Sequence, residues 1–336
     1  MELRLDPQNA AFAKVLAGLP PPHVLGYKNA REELEMLQKH EPALDIMTET
    51  IQAPGEGSST TDLVIFRPKS IKGPLPTVFY SHGGGWILGS PTSFAPLMED
   101  LARQSEAALV FVCYATAPEK TFPYQYEQTY QALEYVIQNG HKHDLAIDCI
   151  VLAGDSVGGT RAHLTLDNIK LNHSQTGHIS IAMMQMSIAR SLPTNILQLI
   201  LFYPVTDVHV ELESYETFKD APFLPADTLR WMINTCIPNK EDRKTALASP
   251  LTFLPDEIVA RFPSTTIILA SIDPLVEDGR AFGHRLQQLG VDAAVISAEG
   301  QMHAFVLAKP IRDSPTARAM IELAACKMRR AFVDSR

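Results

Sequence analysis

One junction constrains the fold of this 336-residue chain more than any other feature: Gly154-Asp155-Ser156-Val157-Gly158 follows directly on the apolar run Cys149 to Ala153. A serine with a glycine two residues to either side, set at the end of a buried strand, predicts a sharp strand-to-helix turn with Ser156 at its tip. Ser156 then takes a strained backbone angle, and side chains at 154 and 158 would collide with the neighbouring strand and helix. Such a pentapeptide also occurs by chance in loops. Its position after a buried strand is what gives it meaning.

That turn needs a sheet covered on both faces, and the rest of the chain supplies one. Apolar or β-branched runs recur at residues 63–66, 77–80, 108–114, 147–153, 197–203, 265–270 and 292–297, as strands buried on both sides require. Helix-forming sequence at amphipathic spacing fills 93–104, 124–138, 178–190, 278–289 and 315–332. The alternation predicts an α/β fold with a mainly parallel central sheet flanked by helices. Two regions break it. The first 45 residues read as a helix, a Pro20-Pro21-Pro22 break and a charged helix around Ala30 to His40, and residues 207–250 hold a proline-punctuated pair of helical stretches. Residues 1–45 and 207–250 are therefore expected to form a helical cap over the carboxyl edge of the sheet, and 46–206 with 251–336 a single catalytic core. Residues Pro54 to Thr61 have the composition of a flexible loop.

A second motif, His82-Gly83-Gly84-Gly85-Trp86, follows the strand-like run Thr77 to Ser81. Three successive glycines leave backbone N–H groups unobstructed, as an oxyanion hole needs. Gly83, Gly84 and Gly85, with the N–H of Val157, are the expected donors. The bland alternative, a simple glycine turn, loses ground because the motif stands upstream of the serine turn and after a strand.

Together these residues resemble the hormone-sensitive-lipase-like branch of the α/β-hydrolases, marked by HGGG and GDSxGG. Tyr114-Ala115-Thr116-Ala117-Pro118-Glu119 is similar to that family's Y-R-L-A-P-E, Tyr203-Pro204 to its strand-end Y-P, and Ser249-Pro250-Leu251 to its S-P-L, so the likeness spans roughly residues 60 to 310. It implies an α/β-hydrolase fold and a serine esterase. The sequence departs from the pattern in three places. Arg is missing after Tyr114, which removes a supporting ion pair. Val157 replaces the usual Ala and crowds the acyl pocket. Residues 160–177 (TRAHLTLDNIKLNHSQTG) separate the glycines from His178-Ile179-Ser180-Ile181-Ala182, which is similar to the family's helix after the elbow. Joining Gly159 to His178 restores that helix with Ile179, Ala182, Met183 and Met186 as its apolar stripe. The inserted stretch is accordingly expected to lie outside the productive architecture, the alternative being a genuine excursion that shapes the substrate entrance.

The triad follows in the chain order of this fold: serine, acid, histidine. Asp273, in Asp273-Pro274-Leu275 after the run 265–270, resembles the family's D-P-L; its rivals Glu277 and Asp278 fall on the following helix. His303, in Gly300-Gln301-Met302-His303-Ala304-Phe305, resembles the family's G-x-x-H-x-F. His284 reads as a helix surface or packing residue, His141 and His143 as a solvated polar turn rather than a metal site, and His82 as a hydrogen-bonder that stabilises its loop. Ser156, Asp273 and His303 thus form the expected catalytic set, acting on a small or medium organic ester through an acyl-enzyme. Phe218, Phe223, Leu224, Trp231 and Met232 are expected to close a short acyl pocket, unless they only pack cap on core. An acyltransferase using the same triad stays open, as does a chain made inert by the 160–177 stretch. A receptor on this scaffold, as in the plant gibberellin receptor, would lack the base that His303 supplies.

Composition narrows the partners. A formal net charge of −9 argues against nucleic acid and against an anionic membrane surface, both of which need clustered Lys and Arg. Cys113, Cys149, Cys236 and Cys326 are widely spaced and read as free thiols. There is no secretory leader pattern at the start and no run of 18 apolar residues, so a cytoplasmic protein without stable membrane insertion is expected. No cofactor and no metal is called for, and a homodimer is left open.

Overall fold

The computed structural model describes residues 4–55, 57–156 and 179–335. Among them eight strands form one sheet: β1 (Ile46–Pro54), β2 (Thr60–Pro68), β3 (Leu75–Ser81), β4 (Ala108–Val112), β5 (Leu145–Asp155), β6 (Asn195–Phe202), β7 (Ser264–Ile272) and β8 (Ala293–Met302). Their order is β1-β2-β4-β3-β5-β6-β7-β8; β2 runs antiparallel to β1 and to β4, and all other neighbours are parallel. The helices are α1 (Pro7–Leu16), α2 (Pro22–Leu25), α3 (Tyr27–Leu37), α4 (Pro91–Ser105), α5 (Tyr124–Asn139), α6 (Ile179–Ala189), α7 (Ser214–Thr217), α8 (Ala226–Cys236), α9 (Pro250–Phe253), α10 (Asp256–Val259), α11 (Val276–Gln288) and α12 (Pro315–Asp334).

The continuous apolar runs are explained by burial on both faces. Successive side chains of a strand point to opposite sides. Phe79, Val110, Leu152, Leu199 and Ile267 accordingly join one core with α5, α6 and α11, while Val78, Leu109, Val151, Ile200 and Ile268 join a second with α4 and α12. A third, smaller cluster lies elsewhere: Trp86 and Ile87 of the glycine loop pack with Ala30, Leu224, Leu229 and Met232.

The mainly parallel sheet and its helices follow the pattern read from the sequence, with boundaries shifted by a few residues. The strand missed is β1. Only Ile46, Ile51 and Ala53 of its nine residues are buried, so an edge strand with polar residues between them leaves no apolar run to detect. The loop expected at 54–61 is narrower: Pro54 pairs with Thr60 and Ala53 with Thr61, which makes it a hairpin turn. Helix α6 is not a one-sided amphipathic helix, because Ser180, Gln185 and Ser187 are buried along with Ile179, Ala182, Met183 and Met186. It is enclosed all round. Residues 160–177, and with them the expectation that they stand outside the productive architecture, lie outside the described residues.

In the first 45 residues the expected helix and charged helix appear as α1 and α3, and the proline break between them is followed by the short α2. Helix α1 reaches down to the core, where Phe12 joins the second cluster. Helix α2 meets α8 through His23 Nδ1 and Thr228 Oγ1, 2.8 Å apart. All four cysteines are free, and Cys236 is the buried one. No helix of the described residues is long and apolar enough to cross a membrane.

Candidate active site

The parallel strands deliver their carboxyl ends to one edge of the sheet, where clefts of open α/β sheets form. His82 to Gly85 follow β3, Ser156 follows β5, Asp273 follows β7 and His303 follows β8. Strands β3 and β5 are neighbours although β4 intervenes in sequence. The glycine loop and the serine turn are therefore side by side.

Ser156 has φ +51°, the left-handed region that non-glycine residues rarely occupy. Its N–H donates to Phe202 O at 2.9 Å, and its carbonyl accepts from Val205 N at 3.1 Å, so β6 fixes the turn from one side. A side chain at Gly154 would run into Ser81 O on β3 and Ser180 Oγ on α6. That is the collision expected of the motif; Gly158 lies outside the described residues.

Ser156, Asp273 and His303 are brought together as one buried chain of hydrogen bonds. Ser156 Oγ lies 2.8 Å from His303 Nε2, and His303 Nδ1 lies 2.6 Å from Asp273 Oδ2. Asp273 Oδ1 accepts the Leu275 N–H at 3.0 Å. Facing a carboxylate, Nδ1 carries the imidazole proton, which leaves Nε2 to accept from the serine hydroxyl. Exposures of 6%, 4% and 0% for Ser156, His303 and Asp273 keep these bonds out of bulk water. The Tyr203 ring packs against the imidazole with centroids 4.6 Å apart.

The glycine loop is held less simply than its sequence suggests. Gly83, expected as one of the oxyanion donors, has its N–H engaged by Asp155 Oδ1 at 2.8 Å. Gly84 and Gly85 adopt φ +100° and +66°, and among the described residues neither N–H has an acceptor. Val157, the other expected donor, lies outside the described residues. A Cβ on Gly85 would collide with Met232 Sδ, so a side chain of α8 rests directly on the loop.

Two neighbours of these motifs carry roles that spacing did not reveal. Asp155 accepts from Tyr80 Oη at 2.9 Å as well as from Gly83. Burial pushes its carboxyl up to about 6, while those two donors and His303 pull the other way. The segment after β4 is held by Arg31 of α3. Its guanidinium binds both carboxylate oxygens of Glu119, and it donates to Ile87 O, Ala117 O and Thr116 Oγ1. A partner so far away in sequence leaves no local signal.

Other expected residues separate by location. His82 donates from Nδ1 to Gly83 O at 2.8 Å and is stacked between Phe111 and Tyr114. Burial pulls its imidazole down to about 4, so it stays neutral. Asp278 turns its Oδ1 to the Thr206 and Asp207 N–H groups, and Glu277 accepts from Ser214 N, away from His303. His284 is exposed on α11, and His143 bonds Glu49. Of the five apolar residues proposed for the pocket, Leu224, Trp231 and Met232 pack around the glycine loop. Phe218 packs into the first core and Phe223 against Phe12.

Comparison with known proteins gives the same site a context. A family model described as alpha/beta hydrolase fold matches residues 78–307. The chain is 53% identical over 333 residues to an esterase of Gibberella moniliformis, covering 98% of this chain and 99% of that one. It is 27% identical over 272 residues to carboxylesterase NlhH of Mycobacterium tuberculosis, covering 80% and 79% of the two chains. The crystal structure of carboxyl esterase 2 from the mycorrhizal fungus Tuber melanosporum superposes with a TM-score of 0.85 at 30% identity, covering 97% of this chain and 99% of that one.

Proposed function

The chain belongs to the alpha/beta hydrolase fold family, in its hormone-sensitive-lipase-like branch, and is a carboxylic ester hydrolase; from that premise we propose that Ser156 is the nucleophile, His303 the general base and Asp273 the acid that orients it. The observation that carries this reading is the buried hydrogen-bond chain from Ser156 Oγ through both imidazole nitrogens to Asp273 Oδ2.

His303 Nε2 takes the serine proton as Oγ bonds to the ester carbonyl carbon, and Asp273 stabilises the imidazolium. The carbonyl oxygen becomes an oxyanion facing the Gly84 and Gly85 N–H groups. The imidazolium returns its proton to the leaving alkoxide, and an acyl-serine remains. Water, deprotonated by His303, then attacks that ester and releases the carboxylic acid.

Helices α2, α3 and α8 form a cap on the third apolar cluster, and Met232 against Gly85 limits the acyl group to short chains. The His23 to Thr228 bond and the packing of Leu224 and Met232 on Trp86 support this arrangement. Two measurements test the site. Ser156→Ala is expected to lower the rate on p-nitrophenyl acetate by about 10³-fold or more at unchanged melting temperature. A fluorophosphonate probe is expected to label the parent at Ser156 alone. Activity of Ser156→Ala within a few-fold of the parent would overturn the assignment, and a parent that the probe does not label would be an inert chain.

A further inference from the structure

The backbone leading into His303 is held from the other end of the sequence. Asn9 in α1 and Gln301 in β8 are both fully buried, 292 residues apart. Asn9 Oδ1 accepts the main-chain N–H of Met302 at 3.0 Å, and Asn9 Nδ2 donates to Gln301 Oε1 at 3.0 Å. Gln301 Oε1 also accepts from Ser314 Oγ at 3.1 Å, and Gln301 Nε2 donates to Asp6 Oδ2. Asp6 N–H in turn donates to Gly300 O at 3.0 Å, and Asp6 Oδ1 caps α1 by accepting Asn9 N–H at 2.8 Å. Gly300, Gln301 and Met302 are thus each bonded to Asp6 or Asn9, and His303 is the next residue.

On its other side the same segment is fixed to the triad's acid. Met302 pairs with Ile272, the residue before Asp273, after a register shift in the β7–β8 ladder. The approach to His303 is therefore clamped between the strand that presents Asp273 and a helix from the N-terminal region. A buried amide pair contributes little net stability over apolar packing, but with its donors and acceptors satisfied it admits few alternative geometries. Near-attack geometry is sensitive at this scale, since a displacement of about 1 Å can cost on the order of 100-fold in rate.

We infer that the Asn9–Gln301 pair sets the position of His303 relative to Ser156, which makes Asn9 a positioning residue for ester hydrolysis. The inference rests on His303 being the base. It gives the N-terminal region a part in the reaction besides covering the cleft.

The test compares Asn9→Ala, Asn9→Asp and His303→Gln in the full chain on p-nitrophenyl butyrate, with kcat expressed per serine titrated by a fluorophosphonate. Asn9→Ala is expected to lower kcat about 10- to 100-fold with KM within twofold of the parent, and to shift the acidic limb of the kcat/KM profile. Asn9→Asp keeps an acceptor for Met302 N–H but sets a second oxygen against Gln301 Oε1 and the Asp6 carboxylate, so it is expected to lose kcat as Asn9→Ala does, and parent-like kcat there would overturn the role of the pair. Parent-like kcat and pH limb in Asn9→Ala, with only the melting temperature lowered, would overturn the inference. Should Asn9→Ala not fold, Gln301→Met keeps the side-chain volume; it is expected to lower kcat in the same way, and parent-like kcat there overturns the inference equally. Activity surviving in His303→Gln would instead overturn the assignment of the base.

Discussion

The amide of Gly83 donates to the carboxylate of Asp155 across 2.8 Å, which ties the loop after β3 to the residue immediately before Ser156. The bond fixes the height of the Gly84 and Gly85 N–H groups relative to the serine. It also uses a carboxylate that burial disfavours, since the group is pushed up to about 6 from an ordinary value of 3.8.

Asp155→Asn keeps an oxygen for both donors and removes the charge. Because the folded value is raised, the charge costs the parent stability above pH 6, and that cost is absent below about pH 4. The variant is expected to melt higher than the parent at pH 8, by the equivalent of roughly 1–3 kcal/mol, with the gap closing as pH falls through 6. Its kcat is expected to drop several-fold, since the charge also interacts with the His303 imidazolium. Thermal melts across pH 4–8 check the first part. A gap independent of pH would contradict it.

His82 titrates in the opposite sense. Its imidazole is held at about 4 against an ordinary 6.5, so the neutral ring's contribution is present above pH 6.5 and is lost as pH falls toward 4. His82→Phe retains the stack between Phe111 and Tyr114 and deletes the bond to Gly83 O. Denaturant melts are expected to show lower stability than the parent at pH 7.5, by about 1 kcal/mol, and a shallower decline between pH 6.5 and 4.

Arg31 holds the far end of the glycine loop through Ile87 O while pairing with Glu119. Arg31→Met keeps the aliphatic stem and is expected to cost about 1–2 kcal/mol, from the carbonyl contacts more than from the ion pair. Glu119 is half exposed, so Glu119→Gln is expected to cost under about 1 kcal/mol. Equal losses in urea melts would reverse that ranking.

Met232 covers Gly85 and is buried. The parent is expected to favour p-nitrophenyl acetate and butyrate over palmitate, and Met232→Ala to narrow the difference in kcat/KM. The variant is also expected to lose about 2–4 kcal/mol through the cavity it leaves. A parent that prefers palmitate would point to a wider pocket than Met232 allows.

Strands β2 to β8 and the chain order of the candidate site residues are legible in the residue pattern alone. Strands β3, β4 and β7 and the second halves of β5 and β6 are buried on both faces because helices cover both, and that burial writes continuous apolar runs that can be read without coordinates. The elbow and the loop before it are legible for a related reason: close approach of Ser81, Ser180 and Met232 admits only glycine at 154 and 85, so steric necessity is recorded as residue identity. Tertiary structure decided which groups are already occupied and by what. Gly83 reads as a free donor until Asp155 is seen beside it, Arg31 from α3 pairs with Glu119, and Asn9 meets Gln301 from the opposite end of the chain. These are bonds between residues distant in sequence. A hydrogen bond constrains distance and angle in space but imposes no periodicity along the chain, so nothing in the local sequence announces its partner.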